Sequence, residues 1–194
     1  SAETLYNVSA LRVPLRPPLP TPGAYCYYIE RWTLKGLTVK ARLSYAVGSL
    51  SSDWICEGDV AEEILQHAIS KGEDWDYAGS NINGARIPNM LTAIRNRMDK
   101  CFEEALEDFV SENEVEINKR KQNIISSCDI EINAAASALQ TTREGGADPK
   151  IIGLNEARLE KAEKNKAARL AELDKKAERD MERAEVAAGI FLVE

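Results

Sequence analysis

From Asn89 to about Arg143 the chain contains neither proline nor glycine. Apolar residues recur through it at Leu91, Ile94, Met98, Phe102, Ala105, Leu106, Phe109 and Val110, then at Ile117, Ile124, Ile125, Cys128, Ile132, Ala135 and Leu139. Steps of three and four dominate, which is the period of a helix. At 1.5 Å per residue such a helix is about 80 Å long. That is more than the side of a 194-residue globule, so part of it is expected to project.

Glu144-Gly145-Gly146-Ala147-Asp148-Pro149 interrupts the pattern. The glycines supply a C-cap, and Asp148 with Pro149 opens the next helix, proline at its first position. That second helix is expected to reach about Glu185, with a narrow stripe of Leu159, Ala162, Leu170, Leu173, Ala177, Met181 and Ala184. Opposite charges one turn apart support it. Two helices joined by so short a break run antiparallel. The segment Val186–Val193 is apolar apart from Gly189 and reads as a strand returning to pair with the N-terminal part.

That N-terminal part reads as β-rich. Residues 14–22 hold five prolines, a stiff connector that also resembles a proline-motif ligand. Ala24–Leu34 and Leu37–Val47 alternate about a turn at Lys35-Gly36, with Leu37, Val39, Ala41, Leu43, Tyr45 and Val47 expected on one buried face and Lys40, Arg42 and Ser44 on the other. Ser52–Cys56 reads as a third short strand. Gly58-Asp59 offers an N-cap, with Glu62 three residues after Asp59 as in a capping box, Val60, Ile64, Leu65 and Ala68 expected buried, and Gly72 ending the helix. Residues 73–88 read as a polar loop. The expected fold is therefore α+β. A small antiparallel sheet with a covering helix (1–88) carries a projecting antiparallel helical hairpin (89–185), closed by a strand (186–194).

Charge and composition narrow the chemistry. The net charge is −7 with a pI near 5.0, so general attraction to nucleic acid is not expected. Residues 1–50 carry net +4, 51–115 net −10 and 116–194 net −1. Cys26, Cys56, Cys101 and Cys128 form no CxxC pair, which speaks against a zinc site and for free thiols in a reducing cytoplasm. No stretch is apolar enough to span a membrane, and no signal peptide is visible. The start at Ser1, without methionine, suggests a processed or excised piece.

Catalytic patterns are sparse. There is no GxxxxGK[ST], GxSxG or HExxH. His67, one turn from Glu63, is a candidate base, although a lone helical histidine is more often a packing residue. Glu103, Glu104, Glu107 and Asp108 form an acidic patch of the kind a solvated helix face carries. Asp74 and Asp76 in the 73–88 loop are the remaining candidates for an enzyme. No catalytic residue, metal or cofactor is expected.

Nucleic acid is the better candidate ligand. Arg158, Lys161, Lys164, Lys166 and Arg169 lie on the first half of the second hairpin helix, and Lys119, Arg120 and Lys121 on the first. Together they could follow a phosphate backbone, against the plainer alternative of a solubilised coiled-coil face. Lys40, Arg42 and Arg31 offer a second basic surface, beside which Trp32 either stacks on a base or is buried in the core.

A group of segments resembles a known family. These are Asp148-Pro149-Lys150-Ile151, Leu154-Asn155-Glu156-Ala157-Arg158, Arg169-Leu170-Ala171-Glu172-Leu173-Asp174 and the closing Val186–Val193 strand, preceded by Arg31-Trp32-Thr33-Leu34 and Gly72-Glu73-Asp74-Trp75. Together, over residues 25–194, they resemble the C-terminal end of bacterial Swi/Snf-type helicase-like ATPases, the RNA-polymerase-associated RapA group and its phage-defence relatives. The resemblance implies an accessory region without the motor lobes. It implies contacts with DNA or RNA, with RNA polymerase or with the parent ATPase motor, and it assigns no functional residue here. The acidic 51–115 block favours a protein contact. A free-standing coiled-coil adaptor or oligomerisation module is the competing expectation.

Overall fold

The computed structural model describes residues 10–74 and 84–194. The fold is α+β, as expected. The described elements run β1 (Ala10–Val13), β2 (Gly23–Lys35), β3 (Val39–Ser49), β4 (Ile55–Glu57), α1 (Asp59–Lys71), β5 (Glu73–Asp74), α2 (Arg86–Glu144), α3 (Pro149–Lys176) and β6 (Asp180–Val193). The strands form one sheet in the order β4-β3-β2-β6-β1-β5.

The sheet is mixed rather than purely antiparallel. β1 pairs parallel with β6, from Ala10 opposite Ile190 to Val13 opposite Val193, while β5 pairs antiparallel with β1 and β4 with β3. Parallel neighbours need a long crossover, and here everything between Val13 and Asp180 supplies it. The closing strand therefore does return to the N-terminal part, and it takes an interior place in the sheet. Leu15 N–H donates to Glu194 O and Glu194 N–H to Val13 O, so the pairing continues past both strands.

The chain divides into two units. One comprises Ser1–Leu34, Lys40–Glu107 and Met181–Glu194; the other comprises Lys35–Val39 and Asp108–Asp180. This division differs from 1–88, 89–185 and 186–194. The first turns of α2 belong with the sheet, and the β2–β3 turn belongs with the hairpin.

In the first unit both faces of the sheet are covered. On one face α1 buries Ala61, Ile64, Leu65 and Ala68, an i, i+3, i+4, i+7 stripe, against Tyr25, Val47, Phe191 and Val193. Each of Ile64 and Leu65 contributes roughly 1.5–3 kcal/mol by its burial. On the other face α2 sets Met90, Ile94 and Met98 against Cys26, Tyr28, Trp32, Ala46 and Ile190. This corrects the expectation of a single buried face. Val39 and Leu43 are exposed, whereas Ser44 is buried and Ala46 lies in the core under α2. The small residues Ser44, Ala46 and Gly48 are what let a helix approach that face. Val60 is likewise exposed, and Ala61 takes its place.

Several boundaries differ for local reasons. Of the Gly58-Asp59 pair, Gly58, at φ 67°, is the cap of α1 and Asp59 its first residue, and no side-chain bond closes a capping box. The proline segment contains a cis Pro17–Pro18 bond, with Leu19 N–H donating to Arg16 O, and Leu19 is buried in the core. It is a pinned turn instead of a straight polyproline rod. The third strand is Ile55–Glu57. Residues 73–88 are not all loop: Glu73–Asp74 form β5 and α2 begins at Arg86. Trp75 and Asp76 lie outside the described residues. Helix α3 ends at Lys176 and not at Glu185, and β6 begins at Asp180.

The second unit is an antiparallel helical hairpin. Its turn forms as the sequence predicts. Ala147 N–H reaches back to Thr142 O, Gly146 sits at φ 63°, and Asp148 caps α3 by accepting from Lys150 N–H at 2.8 Å, with Pro149 next. Cross-helix pairs fix the register: Asn155 with Thr142, Arg143 with Glu156, Lys166 with Asp129, and Lys121 with Asp174; past the end of α3, Arg179 pairs with Glu114.

Candidate interaction surface

The eight basic hairpin residues do not form one continuous patch. The seam of α3 against α2 passes through Asn155, Leu159, Ala162, Lys166, Leu170, Leu173 and Ala177, all at least partly buried, in steps of three and four. Lys166 therefore points into the seam, where it meets Asp129 at 2.7 Å. Arg169 lies beside it and donates to Cys128 Sγ at 3.5 Å. Lys121 pairs with Asp174, Arg120 with Glu116 and Lys164 with Glu160. The side-chain bond to Arg120 holds the Glu116 carboxyl below its usual range, and Lys164 does the same for Glu160. Lys119, Arg158 and Lys161 have no ion-pair partner among the described residues.

Arg158 and Lys161 share a feature the sequence did not indicate. With Ile130, Ala134, Ala135 and Ala162 they line a shallow groove of about 810 Å³ along one flank of the hairpin. Glu131 stands on the α2 side of the groove and Lys164 on the α3 side. The floor is alanine, so a ligand's backbone can approach closely. The charges stand at the walls.

The second basic surface separates onto two faces. Arg42 lies over the Trp32 ring, 4.8 Å from its centroid, on the α2 side of the sheet. Strand alternation puts Arg31 on the opposite side. Trp32 is 1% exposed and belongs to the core, which leaves no ring face open to a base.

Trp32 belongs instead to a buried polar cluster whose members are distant in sequence. Glu30 is 6% exposed. Its carboxylate accepts from Trp32 Nε1 at 2.7 Å, from Tyr28 Oη at 3.1 Å, and from Arg183 Nη2 at 2.8 Å and Nε at 3.1 Å. Arg183 also donates to Asp99 at 2.7 Å and stacks over Phe102 at 4.7 Å. Next to it Arg95 pairs with Glu185 and covers Tyr28. Burial, and then the Glu30 charge, push the Tyr28 phenol above its usual range. Burial opposes the Arg183 charge, but the bonds to Glu30 and Asp99 outweigh it and its pKa is raised. Both oxygens of Glu30 are hydrogen-bonded, Oε1 by Tyr28 and Oε2 by Trp32 and Arg183, so the cluster orders the sheet.

The remaining candidates stand apart. His67 lies on α1 below the Pro17–Pro18 turn, in a space of only about 10 Å³ with Arg16 and Glu63, and its Nε2 has no hydrogen-bond partner. Glu103, Glu104, Glu107 and Asp108 are exposed along α2. Among the described residues no group of three or more His, Cys, Asp and Glu could hold a metal ion. No described helix is long and apolar enough to cross a membrane. All four cysteines are free. Burial pushes the Cys26 thiol up to about 12 and Cys56 to about 11, in the second case with help from Glu57. Neither is a ready nucleophile. Compared with known proteins, the chain matches no family model and no curated protein.

Proposed function

We propose that this chain is a non-catalytic interaction module, an accessory region of a Swi/Snf-type DNA-dependent ATPase or helicase, whose helical hairpin makes the contact. The observation that carries the reading is the chain order. A strand with Arg31-Trp32-Thr33-Leu34 is followed by a long helical hairpin, and the hairpin leads directly into an apolar strand interior to the same sheet. That is the layout on which the resemblance to those ATPases rests. The partners it suggests are the motor lobes, RNA polymerase, DNA or RNA, in a bacterial cytoplasm.

The hairpin's charge pattern favours a protein over a phosphate backbone. Five of its eight singled-out cations already hold partners within the unit, which offset much of the positive charge a phosphate would meet. Two assays test the reading. One is fluorescence anisotropy with DNA and with RNA at low and moderate salt. The other is binding, in trans, to Swi/Snf-type motor lobes lacking their own C-terminal region. Association with the lobes, or nucleic-acid binding that falls steeply with salt, supports the module. Failure in both assays refutes it. A mass that grows with concentration in sedimentation equilibrium would instead favour the free-standing adaptor or oligomerisation module.

A further inference from the structure

We infer that the flank groove of the hairpin docks a third helix, an amphipathic segment of a partner protein with an acidic edge. The inference rests on reading the hairpin as the contacting element, and not on its Swi/Snf parentage. Three observations lead to it.

The first is the shape and chemistry of the groove. Ala134, Ala135 and Ala162 line it, and Ile130, 71% exposed, stands beside them. The lining from Arg158 to Ala168 covers about 15 Å of α3, or three helical turns. Small side chains on a helix pair let a third backbone settle between them, and an exposed isoleucine gives its apolar stripe a contact.

The second is charge. Arg158 and Lys161 have no ion-pair partner among the described residues, while Glu131 faces them across the groove. A helix lying between these walls would carry Glu or Asp toward α3 and Lys or Arg toward α2. A phosphate backbone would meet the two cations but would also set its charge near Glu131 and its polar surface on alanine. The groove is suited to a two-signed apolar ligand and poorly suited to a polyanion.

The third is the thinness of the hairpin's own seam. Leu173 is the only buried residue of α3. Between the Lys166–Asp129 and Asn155–Thr142 pairs, the buried apolar residues of α2 are Ala135 and Leu139, with Cys128 next to Asp129. Two helices that bury so little against each other draw limited stability from their pairing. A third helix on the flank would supply the missing burial.

The test uses the whole chain and two synthetic amphipathic helices of about 20 residues. Both carry the same alanine–leucine stripe. One has glutamates along the edge that would face α3 and lysines along the other; its twin has the charges exchanged. Anisotropy is expected to show the first binding at least about tenfold more tightly than the second. Arg158→Glu with Lys161→Glu should invert that preference. Ala134→Trp, which places a bulky ring in the groove without changing charge, should abolish binding of both. All three positions are exposed on their helices, and far-UV circular dichroism checks that the variants remain folded.

Binding of neither peptide overturns the inference. So does equal binding of both that persists in Ala134→Trp. A DNA duplex that binds the chain and is lost in the charge variant would assign the groove to phosphate and overturn it. A dimer dissociated by Ala134→Trp would assign it to a second copy and overturn it. Failure of the peptides with retained motor-lobe binding would sink the groove alone. Peptide binding without motor-lobe or nucleic-acid binding would sink the Swi/Snf reading alone.

Discussion

Arg183→Met gives the most direct test of how the sheet unit is held. The substitution removes two bonds to Glu30, at 2.8 and 3.1 Å, and one to Asp99 at 2.7 Å. Glu30, 6% exposed, keeps Trp32 and Tyr28 as neutral donors but loses its counter-charge. Breaking a fully buried pair costs about 3–5 kcal/mol. The Arg183 side chain is 29% exposed, so water can reach the vacated space, and the lower end, about 3 kcal/mol, is expected. Glu30→Gln alone leaves Arg183 with Asp99 and should cost about 1–2 kcal/mol. The double variant leaves no buried charge unpaired and should be more stable than Arg183→Met. The coupling energy is expected near 2 kcal/mol. Urea unfolding followed by tryptophan fluorescence measures all four corners, with Trp32 inside the cluster as the reporter. Arg183→Lys keeps the charge but not the fork and should fall between wild type and Arg183→Met. A cost for Arg183→Met below about 1 kcal/mol, additive with Glu30→Gln, would refute the idea that the pair is coupled and buried.

Three further outcomes are expected. In Gly189→Ala the added Cβ would stand 2.6 Å from the Tyr27 ring, so the ring must move off it, and a loss of about 1–3 kcal/mol should appear in the same urea titration. Lys166→Leu replaces a charge in the hairpin seam with an apolar side chain and leaves Asp129 half-exposed to water; hydrogen exchange across α3 should slow, and faster exchange would contradict the seam assignment. The folded-state pKa of Cys26 is raised above 9.0 to about 12, so from pH 9 upward the unfolded chain releases a proton that the fold retains. Stability should therefore be at its full value below pH 9 and decline from there toward pH 12, less steeply in Cys26→Ala, and a flat urea midpoint between pH 9 and 11 would count against it.

The elements that local chemistry dictates could be read from the sequence. The long helix, the Gly145-Gly146 turn, the Asp148–Pro149 start and the β2–β3 turn each follow from a few adjacent residues. What could not be read depends on distant partners. The stretch Asp180–Glu185 satisfies a helical stripe through Ala177, Met181 and Ala184, and its charged composition suits an exposed helix. It becomes strand because Arg183 and Glu185 meet Glu30 and Arg95, neither near in sequence. Strand β1 carries no signal of its own, because four residues ahead of a proline run gain their identity only from β6. The second covered face of the sheet was hidden for a related reason: Ser44, Ala46 and Gly48 look like polar or neutral positions, yet small residues are what a closely packed helix requires. The basic residues are neighbours in sequence, but a period of 3.6 distributes neighbours around a helix. It sends Lys166 to the seam with Arg169 beside it, and Arg158 and Lys161 to the flank.

That distribution bears on why the hairpin seam is polar at all. A seam of leucines would pair the helices more tightly but would tolerate sliding by a heptad in either direction. Asn155 on Thr142, Lys166 on Asp129 and Lys121 on Asp174 each match at one register only. A slip by one turn would separate all three pairs together. The seam thus gives up burial for alignment, and alignment is what brings Arg158 and Lys161 opposite Glu131 across an alanine floor. A hairpin whose only task was to be stable would have no need of that arrangement. A hairpin that must present one flank in a fixed register to a partner helix does need it, and can recover the forgone burial when the partner docks.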